Sequence, residues 1–168
     1  MSRDIASVES FRIVTEDDQA SLLSSRRPIV ILKRRDDVVI SPSIAPGNNT
    51  IGVMLPYTPL HYLLFSDSPD EPSEFPALVM TSGNISEEPI VTANQEAWER
   101  LAPVADYFLF HNRDIYMRTD DSVVRTFAGK ERVLRRSREY VPYPIDLAIP
   151  MRELLACGGE LQAMEILE

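Results

Sequence analysis

Hydrophobic and polar positions fall into short blocks along the chain, not into long helical stripes. Pro28-Ile-Val-Ile-Leu32 is uninterruptedly apolar and rich in β-branched residues, which predicts a strand buried on both faces. Thr50–Leu55 reads as a second strand closed by Pro56, Ala77–Thr81 as a third and Tyr107–Phe110 as a fourth. Ser122–Phe127, a turn at Ala128-Gly-Lys130, and Arg132–Arg135 predict a β-hairpin. Between these blocks lie helix starts. Thr15 precedes three acids and opens a helix to about Ser24. Thr58-Pro59 places a cap ahead of a first-turn proline for Leu60–Phe65. Thr92 and Gln95 fit a capping box for a helix running to about Ala102. Residues 34–49 and the acidic, proline-bearing 66–76 read as loops, and Val141–Pro150 as an extended linker. Leu154–Cys157 begins one further strand. Strands alternating with short helices, plus a late hairpin, predict an α/β (α+β) fold built on a mixed sheet.

Composition narrows the class. The 168 residues are 44% hydrophobic and 26% charged, as in a soluble globular protein. Thirteen prolines against six glycines agree with many strand ends and stiff connections. There is no apolar run long enough to span a membrane and no secretory h-region at the N-terminus, so a cytoplasmic protein is expected. The single cysteine, Cys157, reads as a buried small hydrophobe, and two histidines are too few for a histidine-built zinc site.

The net charge of −9 weighs against general nucleic-acid binding, but the charge is segregated. Residues 36–99 hold ten acids and no Lys or Arg, whereas residues 111–140 hold eight basic side chains against five acids. An arginine-rich segment in an acidic chain suggests a local anion site; the alternative is ordinary solvated strand-edge arginine. Thr81-Ser-Gly-Asn84 follows an apolar strand directly, and ligands of open α/β sheets gather at that edge. Ser82 and Asn84 offer a hydroxyl and an amide, and Gly83 lets backbone N–H groups turn toward an anion; the alternative is a polar turn that bonds to itself. Around the later strands, Arg113, Arg118 and Arg125 could clamp phosphates. Asp120 and Asp121 could hold hydrated magnesium, or could neutralise Arg118 or Arg125. His111 and His61 read as structural. No phosphate loop, dinucleotide turn or nucleophile elbow is present.

Several long stretches together resemble one family: Ile44-Ala-Pro-Gly through Pro56-Tyr-Thr-Pro-Leu-His61, Ala77–Ile90, Asp106–Ile115, Arg118-Thr-Asp-Asp-Ser-Val-Val-Arg125 and Leu134-Arg-Arg-Ser-Arg138. In this order they resemble the YrdC-like domain of the HypF-type hydrogenase-maturation carbamoyltransferases. The resemblance implies a twisted mixed sheet. It also implies formation of carbamoyl-adenylate from ATP and carbamoyl phosphate, with ATP carrying Mg²⁺ in the complete domain and no metal site in this part. The carbamoyl group would pass to a HypE-type partner for the cyanide ligands of nickel–iron hydrogenase.

By matching motifs, Ser82, Asn84, Arg118 and Ser122 would be catalytic, and Thr81, Ser82, Asn84, Ser122, Arg135 and Arg136 would hold the nucleotide. The hairpin register decides whether Arg135 or Arg136 faces the pocket. The expected organisation is a non-matching segment with a short helix over 1–25, the C-terminal part of the YrdC-like domain over 26–140, a proline-rich linker over 141–152, and a truncated first strand of a kinase-like domain over 153–168. Such a piece is expected to be inactive alone. The alternative from another class is a YrdC-like double-stranded RNA-binding or regulatory module without catalysis, lined by the basic groups at 26–35 and 111–138.

Overall fold

The structure, a computed structural model, describes residues 1–35, 37, 41–66, 75–86, 88–150, 154–156 and 164–166. Its centre is a five-stranded mixed sheet. Strand β2 (Ile29–Arg34) is the hub, and it pairs with β1 (Arg12–Ile13) and β3 (Thr50–Val53) antiparallel and with β4 (Val123–Phe127) parallel. Lys33 pairs with both β1 and β3, and Val30 with both β3 and β4. Therefore β1 and β4 share one side of β2, at its two ends, and β3 runs along the other. Strand β5 (Lys130–Arg135) completes the sheet as the hairpin partner of β4.

Alternation along β2 assigns the two faces. Val30 and Leu32 are fully buried and meet Leu22 of helix α2 (Glu16–Leu23), Val8 of helix α1 (Ile5–Glu9), Val53, Leu55, Val124 and Tyr140 in the main core. Ile29 points the other way, into a smaller cluster of Met1, Met54, Phe65, Tyr57 and Leu78. Gly52 lies against Ile29 on that second face, where a Cβ would meet the Ile29 side chain at 2.7 Å.

Helix α2 starts where the sequence places it, with Thr15 and Asp18 forming a reciprocal capping box. Helix α3 (Pro59–Leu64) starts on Thr58, whose hydroxyl accepts from His61 N at 3.2 Å. Helix α4 (Asn94–Leu101) departs from expectation. Its cap is Ala93, without a side-chain bond, because the Thr92–Gln95 pattern sits one residue ahead of the true start.

Two predicted strands are not strands. Over Ala77–Thr81 only Ala77 forms a bridge, to Ser2, because among the described residues no strand lies beside Val79 and Met80 to complete a ladder. Over Tyr107–Phe110 the aromatic rings pack locally instead: Phe108 lies 5.1 Å from Trp98 of α4 and 5.5 Å from Phe110. Periodicity did not reveal α1, β1 or the 3-10 turn Pro42–Ile44, all too short to show it. The strand expected from Leu154 is present as β6 (Leu154–Ala156), paired antiparallel with β7 (Met164–Ile166). Cys157 and most of the acidic 66–76 loop lie outside the described residues.

Candidate functional site

The Thr81–Asn84 turn closes on itself. The Ser82 hydroxyl donates to Asn84 Oδ1, and Asn84 N donates to the Ser82 carbonyl at 3.0 Å. Asn84 Nδ2 donates to the carbonyls of Ile85 and Glu88, and Val91 N donates to the Gly83 carbonyl at 2.9 Å. The self-bonded turn left open by the sequence is therefore what forms. Asn84 is its framework, while Thr81, Ser82 and Gly83 stay exposed to solvent.

Arg118 is brought to this loop. Its Nε donates to the Ile90 carbonyl at 2.6 Å, one residue from the Val91–Gly83 bond. In the sheet, Ile29 and Val123 are cross-strand partners and share one face, and Arg135 pairs with Val123 where a bulge shifts the β4–β5 register. Leu78, leading into the turn, packs in the Ile29 cluster on that same face. Helix α2 covers the other face, so the turn lies on the side of the sheet opposite it.

Ser122 does not behave as a ligand-facing hydroxyl. It is fully buried, donates to the Arg138 carbonyl at 2.8 Å and accepts from Ser137 N at 2.8 Å. Among the described residues no hydrogen bond or ion pair links the 81–84 turn to Ser122, Arg135 or Arg136. Arg135 is exposed and lies 3.8 Å from Asp120, and Arg136 donates to the Tyr143 carbonyl. The register thus keeps Arg135 as the last residue of β5 and places Arg136 just beyond the strand.

What the sequence did not assemble is a polar knot beneath this face. Arg138 donates from Nε to Asp121 at 2.9 Å and reaches the Arg26 and Arg27 carbonyls. Its guanidinium stacks 3.7 Å from the Tyr57 ring centroid, and Tyr57 meets His61 edge-on at 4.6 Å. Burial, then the negative charge of Asp121, push the Tyr57 hydroxyl above the ordinary phenol range. Burial chiefly, helped by Arg138, holds His61 below the ordinary imidazole range although Asp121 pulls it up. The Tyr57-Thr-Pro-Leu-His61 and Arg135-Arg-Ser-Arg138 stretches carried the signal, but only the fold shows that they meet.

Asp120 and Asp121 pair with Arg135 and Arg138, not with Arg118 or Arg125. Among the described residues no three His, Cys, Asp or Glu side chains stand together to hold a metal ion. Also among the described residues, no helix is long and apolar enough to cross a membrane.

The model of the Sua5/YciO/YrdC family, described as telomere recombination, matches residues 1–137. The chain belongs to the Sua5/YciO/YrdC family. Over 96% of its length it is 39% identical to carbamoyltransferase HypF of Rhizobium leguminosarum and 41% identical to carbamoyltransferase HypF2 of Cupriavidus necator. It spans 21% and 22% of those proteins, about a fifth of each. Among solved structures it is similar to full-length HypF in its phosphate- and nucleotide-bound form, with a TM-score of 0.76 and 50% identity over 87% of this chain and 22% of that one. It is also similar to T. kodakarensis HypF, with a TM-score of 0.80 and 47% identity over 88% of this chain and 19% of that one. The mixed sheet with short helices is the architecture of these Sua5/YciO/YrdC relatives.

Proposed function

We propose that this Sua5/YciO/YrdC chain is one wall of a carbamoyl-adenylate-forming site that serves hydrogenase maturation. In this reading it acts on ATP, which brings its own Mg²⁺, and on carbamoyl phosphate, and the carbamoyl group goes on to a HypE-type protein. The observation that supports it is the exposed Thr81-Ser82-Gly83 turn, framed by Asn84 and tied to Arg118, on the face of the sheet opposite α2. Similarity to HypF carbamoyltransferases, one of them solved with nucleotide bound, supports the substrate class.

In this reading water first cleaves carbamoyl phosphate to carbamate and inorganic phosphate; a carbamate oxygen then attacks the α-phosphorus of ATP, the carbon–oxygen–phosphorus link forms, and the bond to pyrophosphate breaks. Charge grows on the equatorial oxygens and on the leaving group. Fixed donors such as the Gly83 backbone and the Arg118 and Arg135 guanidiniums suit that demand, and no covalent step is asked of the protein. Ser122 and Asn84 serve it by position. Ser122 locks the Ser137–Arg138 backbone, and Asn84 holds the turn in shape.

One wall exposed to water cannot shield a labile adenylate, so the chain by itself is expected to release no pyrophosphate from ATP and carbamoyl phosphate. It should still bind ATP or AMP weakly. Titration calorimetry should show Ser82→Ala and Asn84→Ala each weakening that binding by about tenfold, as loss of one or two charge-assisted contacts does. Affinity unchanged in both variants removes the turn from the site. Clear pyrophosphate release overturns the expected inactivity. Tighter, steeply salt-dependent binding to duplex RNA than to ATP replaces the reading with the RNA-binding one.

A further inference from the structure

Two backbone edges face each other across a cleft on the side of β3 away from β2. Along β3, Arg34 N donates to the Asn49 carbonyl at 2.8 Å. Counting along the register from that pair, Ile51 and Val53 turn their backbone groups toward β2, and Thr50, Gly52 and Met54 turn theirs outward. The opposite edge is residues 76–80. Leu78 exchanges two bonds with Met1, at 2.7 and 2.8 Å, and Arg3 N donates to the Pro76 carbonyl at 3.4 Å. By the same alternation Met80 aims its N–H and carbonyl to the side that Leu78 does. Ser2 sets the spacing between the edges. It donates from N to the Met54 carbonyl at 2.9 Å and bridges Ala77 on its other side, so one strand fits between them. Past Met1 the two edges continue unpaired. Among the described residues, no hydrogen bond reaches the outward groups of Gly52 or the backbone of Val79 and Met80. A cleft of about 490 Å³ opens there, with Ile51 and Gly52 on one side, Val79 and Met80 on the other, and Phe11 also lining it.

We propose that this cleft is a docking slot for one extended strand of a partner polypeptide, in line with Met1–Ser2, antiparallel to Leu78–Met80, and bonded to Gly52 and Met80. Unpaired strand edges accept added strands through their main-chain groups, and the walls then select the side chains. Here the walls come from both faces of the sheet. Met1 and Leu78 belong to the Ile29 cluster, whereas Phe11 and Ile51 pack against the main core. The strand that fits is therefore an uninterrupted apolar, β-branched run, of the kind the chain itself uses at Ile29–Leu32. The edge of a second copy is a poorer occupant. It brings its own sheet with it and can satisfy only one of the two edges, and each copy carries a charge of −9. Strand pairing needs no nucleotide, so the inference stands apart from the adenylate reading.

The probe is a blocked peptide, acetyl-Lys-Lys-Val-Ile-Val-Ile-Lys-amide, titrated into the 168-residue chain and followed by amide hydrogen exchange. Binding should saturate, slow exchange at Gly52 and Met80, and leave Val79, whose amide points to the other side, unchanged. A second peptide, N-methylated at both isoleucines, keeps the side chains and the charge but loses the donors along one edge. It should bind about tenfold more weakly or worse. Met80→Pro removes an N–H that has no partner in the unbound chain, so its Tm should stay near wild type while its affinity for the first peptide falls by about tenfold. If that variant unfolds, the two peptides compared on the wild-type chain decide. Equal affinity for both peptides means apolar adhesion without strand pairing and overturns the proposal. So do full affinity in a folded Met80→Pro chain, protection of Val79 in place of Met80, and no binding at millimolar peptide. Protection of Gly52 and Met80 that grows with chain concentration and ignores the peptide assigns the slot to a second copy, and it overturns the proposal too.

Discussion

A fully buried serine whose hydroxyl has already committed its one proton offers no donor to a ligand. Ser122 is in that position, clamped between Ser137 N and the Arg138 carbonyl. Ser122→Ala leaves a half-buried amide and a half-buried carbonyl without their partner, which costs about 1 kcal/mol or more. Denaturant melts should show a lower midpoint at unchanged slope, and a midpoint equal to wild type would mean that water replaces the hydroxyl. Tyr140 gives a pH signature at the same scale. Its hydroxyl donates to Glu131 at 2.7 Å, and burial, then that carboxylate, push its pKa up to about 12. The unfolded phenol titrates near 10. Below pH 10 both states keep the proton and the contribution is intact. Between about 10 and 12 the unfolded chain binds fewer protons than the folded one, so stability falls as pH rises. Tyr140→Phe should remove that part of the alkaline decline, read as the difference between the two stability–pH curves. Parallel curves through that window would separate Tyr140 from the effect.

At the scale of elements, what the sequence announced was local chemistry. Thr15 and Asp18 cap α2, Thr58-Pro59 opens α3, and the apolar run at 28–32 becomes the hub strand, because each needs only its own neighbours to be recognised. The hairpin was legible too, with a tighter turn than expected: Ala128 and Gly129 alone make it, at φ of 52° and 70°. Both central residues in the left-handed region match the twist of a two-residue hairpin, but alanine adopts that conformation at a cost of about 1–2 kcal/mol. Ala128→Asn creates the favoured Asn-Gly pair and should raise stability by about 0.5–1 kcal/mol, visible as a higher Tm. A lower Tm would mean that the alanine methyl is used in packing. The candidate site was legible to the same depth. The Ser82–Asn84 turn and the arginines announce themselves by residue type. The meeting of Arg138 with Tyr57 and Asp121 depends on long-range pairing that no local pattern encodes.

For the molecule as a whole, the two strands wrongly expected at 77–81 and 107–110 share one cause. Residue type reports what a segment is suited to, whereas a strand exists only beside another strand. Ala77–Met80 keeps strand-like composition with Val79 81% exposed, and Leu109 is 69% exposed. Apolar side chains presented on an extended, unpaired backbone invite pairing between chains. Opposing this is the net charge of −9 on each copy. The balance should depend on salt: the repulsion is screened as ionic strength rises, while the apolar attraction is not weakened. Analytical ultracentrifugation at rising protein concentration should therefore show species heavier than the 19.0 kDa chain, more of them in high salt than in low. Val79→Lys places a charge in the middle of the unpaired segment and should return the distribution toward the single chain, while an exposed-site change of this kind leaves the Tm within about a degree or two. The same distribution for both proteins would place the contact elsewhere, with Tyr107–Phe110 as the next segment to charge. Association that weakens with added salt would instead identify an electrostatic contact between the acidic 36–99 stretch of one copy and the basic 111–140 stretch of another.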